Sequence, residues 1–179
     1  MDTYKINIEG LDRELRKFPV NDKLDIAAFF MFGDIEMTEV AARELLKRVP
    51  EHDVVVTAEA KGIPLCYEMA RQGCRNYVVA RKSVKVYMGN PIGVTVNSIT
   101  TKNEQKLYLG EDDVNLLNGK RVLLVDDVIS TGESLHALEI DQIPGRHLGI
   151  VLADSIVDAV LFGIPAQQGQ TPLCAGKTA

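Results

Sequence analysis

The stretch VLLVDDVISTGES, residues 122–134, narrows the fold of this chain more than any other part of the sequence. Four apolar residues of strand length, 122–125, are followed directly by Asp126 and Asp127, and a small polar turn at 130–134 leads into a helical segment. A short apolar run that ends in a turn and a helix is typical of a strand in a parallel sheet. Ligands of such sheets bind beyond the carboxyl ends of the strands. The sequence therefore predicts an α/β fold with a binding site at this turn.

The polar turn has the chemistry of a phosphate-binding site. Backbone N–H groups at a helix N-terminus carry roughly half a positive charge, and hydroxyl side chains add further donors. The turn consists of Ser130, Thr131, Gly132, Glu133 and Ser134. Because the preceding carboxylates can accept hydrogen bonds from vicinal hydroxyl groups, the combination predicts a site for a ribose phosphate. An ordinary capped turn with solvated acids is the alternative that the residues alone leave open.

A second turn of related chemistry follows the predicted core strand DVVVT at 53–57. The sequence EAKG at 59–62 comes at the carboxyl end of this strand, so we expect it at the same sheet edge as Asp126. Backbone amides there, with a lysine, can hold a second anion, although a solvated lysine before a helix would have the same sequence. The residues assigned to this anion are Ala60, Lys61 and Gly62.

A basic segment follows the next predicted strand, NYVVA at 76–80. The segment places Arg81, Lys82 and Lys85 near the same edge of the sheet. Clustered cations stabilise a polyanionic group as it leaves in a reaction. A basic strand end that faces water is the alternative interpretation.

Several of these segments resemble a known family. Residues 122–134 resemble the motif by which type I phosphoribosyltransferases bind phosphoribosyl diphosphate (PRPP): an apolar strand, two acids, two mostly apolar residues and a Thr-Gly turn. EAKG is similar to loops of adenine phosphoribosyltransferases, KGIPL to orotate phosphoribosyltransferases, and the basic segment to purine phosphoribosyltransferases. P-loop NTPases fit less well because no GxxxxGK(S/T) precedes the strand, and response-regulator receivers carry their paired acids nearer the start.

The resemblance implies a fold and a division of the chain. The fold is an α/β arrangement, in which a mostly parallel five-stranded sheet is flanked by helices and carries a small N-terminal hood. We expect a single domain over 1–179, with the hood at about 1–34 and a lid loop at about 86–109. The tail at about 141–179 is atypical, because it lacks the longer helix and the regular strand usual in the family. A degenerate, inactive relative is therefore one alternative.

Local patterns predict some further elements. Residues 11–18 are interpreted as a helical turn or two. A later helix, capped by Asp34 or Thr38, is expected to run to about Arg48. Residues 111–120 are interpreted as an acidic connector.

The resemblance also implies an activity, that of a glycosyltransferase of the pentosyltransferase type. A purine base and PRPP would give a nucleotide and pyrophosphate, as in purine salvage. Asp126 and Asp127 would be catalytic by orienting the ribose hydroxyls, and the turn 130–134 would bind the 5′-phosphate. The pyrophosphate would be held by Ala60, Lys61, Gly62, Arg81, Lys82 and Lys85. Mg²⁺ would be held mainly through PRPP, so no dedicated protein metal site is predicted.

The identity of the base depends on weaker signals. The hood stretch FPVNDKLDIAAFF resembles the segment by which adenine phosphoribosyltransferases recognise adenine, and Phe18, Val20 and Asn21 are the candidate contacts. The alternative is that these residues belong to the hydrophobic core of the hood and to a turn. The lid sequence NSITTKNEQ is similar to xanthine phosphoribosyltransferases, so adenine is favoured and xanthine is second. A non-catalytic PRPP-binding regulator ranks lower, because residues 1–50 lack a clear helix-turn-helix.

Composition sets limits on the class of protein. The 179 residues carry a net charge of −5, with 46% hydrophobic and 25% charged residues, as in a globular domain that is no general nucleic-acid binder. Three cysteines without a close CxxC pair favour a reducing compartment. The charged start, MDTYKINIEG, predicts no signal peptide, and no apolar run reaches bilayer-spanning length. We therefore expect a cytoplasmic protein with small-molecule substrates, no membrane partner and, by analogy with the family, a homodimer.

Overall fold

The structure, a computed structural model, describes residues 2–21, 24–96, 105–127, 146–152 and 164–165. The strands in chain order are β1 (Thr3–Ile8), β2 (Leu11–Asn21), β3 (Leu24–Ala27), β4 (Val54–Ala58), β5 (Tyr77–Ala80), β6 (Ile92–Val96), β7 (Gln105–Leu109), β8 (Arg121–Asp126), β9 (Arg146–Leu152) and β10 (Ile164–Pro165). The helices are α1 (Ile35–Leu46), α2 (Ile63–Gln72) and α3 (Glu111–Leu117), and a single 3₁₀ turn spans Val86–Met88.

The central sheet has the strand order β5-β4-β8-β9, and each pair of neighbours is parallel. The strand β4 is joined to β5 through α2, which is the predicted βαβ unit. Beyond β5, Arg81 and Tyr108 exchange backbone hydrogen bonds of 2.8 and 2.7 Å, so the antiparallel β6–β7 hairpin joins the edge of the sheet. The predicted α/β class, a mostly parallel sheet flanked by helices, is confirmed.

The strands β4 and β8 are buried on both faces, which explains their continuous apolar sequences. On one face Val54, Val56, Val122 and Leu124 pack with residues of β7 and α3. On the other face Val55, Leu123 and Val125 pack with α1, α2 and β1. A rigid two-layered core therefore fixes the carboxyl ends of both strands.

The three N-terminal strands form an antiparallel sheet, which the two-residue strand β10 extends to the order β1-β2-β3-β10. The prediction of a helical turn at 11–18 is wrong, because these residues lie in β2 and pair with β1 from Ile8↔Leu11 onward. The two-residue turn between the strands, Glu9 and Gly10, has φ values of 48° and 89°. Positive φ at both central residues matches the twist of a hairpin, and this local signal decides the structure against the helix.

The helix α1 packs in the core, and its N-cap residue contacts the strand β2 of the hood. Its N-cap is Asp34, whose carboxylate accepts a hydrogen bond of 3.1 Å from the Met37 amide. Arg13 of β2 donates to both oxygens of Asp34 at 2.6 and 2.9 Å. The Arg13 guanidinium is the main reason why the pKa of Asp34 lies below its ordinary value.

Residues 111–117 form α3, where the sequence was interpreted as an acidic connector. The acidic residues occupy its first turn, where negative charge favours the helix dipole, and Leu117 is buried in the core. None of the helices described in this chain is both long and apolar enough to cross a bilayer.

Candidate active site

The candidate site lies where β4 and β8 end. The two strands pair in parallel with Val54 opposite Val122 and Val56 opposite Leu124. Because they run in the same direction and in register, the loop 59–62 after β4 lies beside the acids at the end of β8. The loop 59–62 and the acids after β8, which the sequence predicted at one edge, are therefore neighbours.

Gly62 marks the closest contact between the loop and the acids. A Cβ atom at this position would lie 2.9 Å from Asp126 Oδ1 and 3.3 Å from Asp126 Cα, and it would overlap the Thr57 hydroxyl. No other amino acid fits without moving the strand end or the loop. Thr57 itself is fully buried. The glycine thus allows the backbone of the loop to lie directly on Asp126.

The two carboxylates form a close pair. Asp127 is only 2% exposed, and its backbone N–H donates to Asp126 Oδ1 at 2.9 Å. Burial, and secondly the negative charge of Asp127, raise the pKa of Asp126 well above its ordinary value, while the nearby Lys61 opposes the shift. A ligand that donates hydrogen bonds or brings positive charge would favour the ionised form of Asp126. The pair is therefore suited to bind hydroxyl groups or a cation.

Glu59 joins the loop to the basic segment. Its Oε2 accepts a 2.9 Å hydrogen bond from the Lys82 amide, and its Oε1 lies 3.4 Å from Arg81 Nη2. The Lys82 amide is the main reason why the pKa of Glu59 is lowered, and the charges of Arg81 and Lys85 add to the effect. The Glu59–Ala60 peptide bond is cis. Sequence reasoning assigned Glu59 no role, although an acid at one strand end and a basic segment at the next were both visible.

The cations of the basic segment surround this contact. Arg81 Nε is buried and has no hydrogen-bond partner among the described residues. Lys85 Nζ donates to Ser83 Oγ at 2.8 Å. The Lys82 side chain is exposed. The structure therefore gathers Arg81, Lys82 and Lys85 around Glu59, at the edge that carries the loop 59–62.

Lys61 extends toward the hood. Its Nζ lies 5.6 Å from the centroid of the Phe30 ring, a cation–π distance. Phe30 also lines a hollow of about 400 Å³ in the hood. The hollow is bordered by Arg13, Glu14, Leu15, Arg16, Phe18, Ala28, Phe29, Phe30 and Asp34. Phe18, a candidate base contact, is 47% exposed, and the side chains of Val20 and Asn21 lie outside the described residues.

The predicted phosphate turn, with Ser130, Thr131, Gly132, Glu133 and Ser134, also lies outside the described residues. Of the predicted lid loop at about 86–109, residues 97–104 lie outside them as well.

Comparison with known families gives this geometry a context. The phosphoribosyl transferase domain family matches residues 31–140, more than half of the chain. The chain belongs to this family. The matched range includes the loop 59–62, the basic segment 81–85 and the motif 122–134, and it excludes the candidate base contacts in the hood.

Several phosphoribosyltransferases are similar to this chain. The hypoxanthine/guanine phosphoribosyltransferase of Methanothermobacter thermautotrophicus is 35% identical over 139 residues, which cover 73% of this chain and 68% of that protein. The adenine phosphoribosyltransferase of Rhodococcus jostii is 28% identical over 80% of this chain and 78% of its own. Two further curated hypoxanthine/guanine relatives are matched over only about half of their length, 52% in each case. The chain is thus related to purine phosphoribosyltransferases.

The fold is shared with solved phosphoribosyltransferase structures. The adenine phosphoribosyltransferase of Thermoanaerobacter pseudethanolicus superposes with a TM-score of 0.64 at 20% identity, over 77% of this chain and 81% of that one. At this level of identity the likeness concerns the fold, and it agrees with the type I arrangement of a parallel sheet flanked by helices.

Proposed function

We propose that the protein is a purine phosphoribosyltransferase, which transfers the phosphoribosyl group of PRPP to a purine base and releases pyrophosphate. The observation that carries the proposal is the contact of the loop 59–62 with the paired carboxylates, since Gly62 lies against Asp126 with no room for a side chain. One ligand can therefore touch both the loop and the acids. PRPP has this character, with hydroxyl groups on its ribose and a pyrophosphate beside them.

The reaction requires groups of both charges. As the bond from the anomeric carbon to the pyrophosphate oxygen breaks and the bond to a base nitrogen forms, positive charge builds on the ribose and negative charge on the leaving group. In the proposal Asp126 and Asp127 orient the ribose hydroxyls, and the turn 130–134 binds the 5′-phosphate. The leaving pyrophosphate is held by Ala60, Lys61, Gly62, Arg81, Lys82 and Lys85. No side chain acts as a nucleophile, so catalysis rests on positioning and electrostatics.

Mg²⁺ is part of the proposal as a partner of PRPP. Within the described parts of the chain, no three or more His, Cys, Asp or Glu side chains form a potential metal site. Mg²⁺ prefers oxygen ligands and retains waters, which suits the phosphate oxygens of PRPP beside the two carboxylates of Asp126 and Asp127. When bound, it would neutralise part of the charge of the pyrophosphate group.

The purine base is assigned to the hood. Phe18 lines the hollow of about 400 Å³, a volume within the usual range for small-molecule sites. Val20 and Asn21, further along β2, complete the proposed contacts. We name adenine as the first candidate on the hood segment 18–30. Hypoxanthine and guanine come next, because the 35% identical relative is a hypoxanthine/guanine phosphoribosyltransferase, and xanthine follows. A cytoplasmic homodimer formed by a single domain of this chain is part of the proposal by analogy.

The test is an assay of pyrophosphate release. The protein is incubated with PRPP, Mg²⁺ and, separately, adenine, hypoxanthine, guanine, xanthine or orotate, with a reaction lacking base as the blank. Turnover with a purine supports the proposal and identifies the base. PRPP binding by calorimetry without turnover would instead favour a regulator. Absence of both binding and turnover would overturn the proposal.

A further inference from the structure

The contact between Lys61 and Phe30 joins two segments that are distant from each other in the sequence. Lys61 belongs to the loop after β4, whereas Phe30 lies in the segment between β3 and α1. The 5.6 Å distance from Nζ to the ring centroid places the ammonium group over the aromatic face. Within the described residues the Lys61 side chain makes no hydrogen bond or salt bridge, so the ring is its one specific contact there.

Phe30 makes little contribution to the hydrophobic core. Its side chain is 54% exposed, while the next residue, Met31, is 1% exposed and packs in the core. Phe32 is also 54% exposed and has no cation over its ring among the described residues. The chain therefore offers two phenylalanines of equal exposure, two positions apart, of which one contacts Lys61. An aromatic ring on the surface beside a catalytic loop calls for an explanation other than packing.

The alternative partner of Lys61 is the carboxylate of Asp126. Lys61 directly precedes Gly62, whose backbone lies against Asp126, and the positive charge of Lys61 acts on that carboxyl group. A lysine side chain has a flexible four-carbon stem, and without a second contact its ammonium can turn toward the acid. An ion pair between Lys61 and Asp126 would make the ammonium group unavailable to pyrophosphate. It would also make the carboxylate unavailable to the ribose hydroxyls.

We propose that Phe30 is a positioning residue, whose ring holds the Lys61 ammonium on the hood side of the loop and away from Asp126. The lysine then stays available to the pyrophosphate group, and the carboxylate stays available to the ribose hydroxyls. This role rests on the proposed function, because it acts through a residue assigned to pyrophosphate. It also gives the hood a part in binding PRPP, since Phe30 belongs to the hood.

The first part of the test measures affinity and turnover. Pyrophosphate with Mg²⁺ is titrated into the wild type, Phe30→Leu, Phe30→Tyr and the matched control Phe32→Leu. Phe30→Leu should bind about two- to fivefold more weakly, the value of an exposed cation–π contact, and should raise the KM for PRPP more than it lowers kcat. Phe30→Tyr keeps the ring and should retain wild-type affinity, and Phe32→Leu should match the wild type.

The second part separates positioning from a general structural effect. In a Lys61→Met background, Phe30→Leu should cause no further loss of affinity, because the residue through which it acts is gone. The lysines of the wild type and of Phe30→Leu are also labelled with ¹³C-methyl groups. The Lys61 signal, identified by its absence in Lys61→Met, should be shifted upfield by the ring in the wild type, and this shift should be lost in Phe30→Leu.

The outcomes are distinguishable. Equal affinities of Phe30→Leu and Phe32→Leu, or the same loss with and without Lys61, would overturn the positioning role and leave the proposed function intact. A wild type that binds neither pyrophosphate nor PRPP would overturn the proposed function and the positioning role together.

Discussion

The two ends of the central sheet carry the same kinds of charged residues in opposite arrangements. At the amino end, just before β4, both carboxylate oxygens of Asp53 accept hydrogen bonds from Arg121, at 2.9 Å from Nη2 and 3.1 Å from Nε. The Arg121 amide adds a third bond of 2.8 Å. At the carboxyl end, Asp126 lies beside a second acid, Asp127, and Lys61 points to an aromatic ring. The strand β8 thus begins at Arg121, which pairs with an acid, and ends at Asp126, which lies beside a second acid.

The difference separates a structural role from a binding role. Arg121 lowers the pKa of Asp53 to about 2, so this carboxylate is ionised and satisfied within the fold. Burial raises the pKa of Asp126, and Asp127 adds to the effect, so the fold alone leaves this group under-stabilised in its ionised form. Perturbed groups of the second kind are concentrated at functional sites. Substitutions at the two ends should therefore differ in their effects on activity and on stability.

The largest effect is expected at the carboxyl end. Asp127→Asn should lower kcat/KM by about 100-fold or more, because it removes a buried charge from beside the developing positive charge of the ribose. Steady-state measurement of pyrophosphate release with the accepted base checks this. Asp112→Asn, at an exposed acid in the first turn of α3, is the matched control and should change activity less than twofold. Equal losses in the two variants would contradict the catalytic assignment.

The second-largest effect is expected for Asp126, where a substitution should change both activity and stability. The folded pKa of Asp126 is raised to about 7, so the protonated form favours folding. This stabilisation is complete below the ordinary carboxyl pKa of about 4 and is lost as the pH rises through the folded value. Asp126→Asn keeps the oxygen that accepts from the Asp127 amide and removes the charge. It should therefore stabilise the protein at pH 8 by about 1 kcal/mol while it lowers activity.

Urea denaturation at pH 8 and pH 4 measures this change. The midpoint of the variant should lie above that of the wild type at pH 8, and the two should converge at pH 4. A variant less stable than the wild type at pH 8 would show that the fold already satisfies the Asp126 carboxylate, and the contrast between the two sheet ends would fail.

The central sheet was predictable from the sequence because its signals are local. The apolar runs of β4 and β8, the proline at the start of α2 and the cap at Asp34 each depend on a few neighbouring residues. The direction of parallel strands then places the loop 59–62 beside Asp126 without further information. This part of the candidate site therefore followed from short motifs and a general rule of sheet topology.

The remaining contacts could not be predicted, because they join distant residues through side-chain orientation. Residues 11–18 of β2 were interpreted as a helical turn or two, whereas the hairpin that includes them depends on positive φ at Glu9 and Gly10. The contact of Lys61 with Phe30 spans 31 positions in the chain and leaves no pattern in the sequence. The role of Glu59 depends on the position of the Lys82 amide, 23 residues away.

A smaller effect is expected at the amino end. Asp53→Asn should lower the melting temperature by about 1 to 3 °C at pH 7 and leave kcat/KM unchanged, because exposed ion pairs stabilise weakly. Since the folded pKa of Asp53 is about 2, its contribution is complete above about pH 4 and is lost as the pH falls toward 2. Melting curves at pH 7, 4 and 2.5 should show the wild type and the variant converging at the lowest pH. If Asp53→Asn lost activity without losing stability, the amino end would have a functional role and not the structural role assigned to it.

The smallest expected effect is a difference in reactivity between two thiols, Cys66 and Cys74. Burial raises the pKa of Cys66, which lies on the buried face of α2 and packs in the core. Cys74 is half-buried shortly before β5; burial works against its ionisation, but His52 and the backbone at Asn76 and Cys74 together outweigh burial, so the pKa of Cys74 lies below its ordinary value. The third cysteine of the chain is Cys174. In a Cys174→Ser background, iodoacetamide at pH 7 should therefore label Cys74 before Cys66, as followed by mass spectrometry. His52→Asn should slow the labelling of Cys74 a few-fold and leave that of Cys66 unchanged. Faster labelling of Cys66 would show that the core opens near Asp126, and the carboxyl end would then be the less ordered of the two.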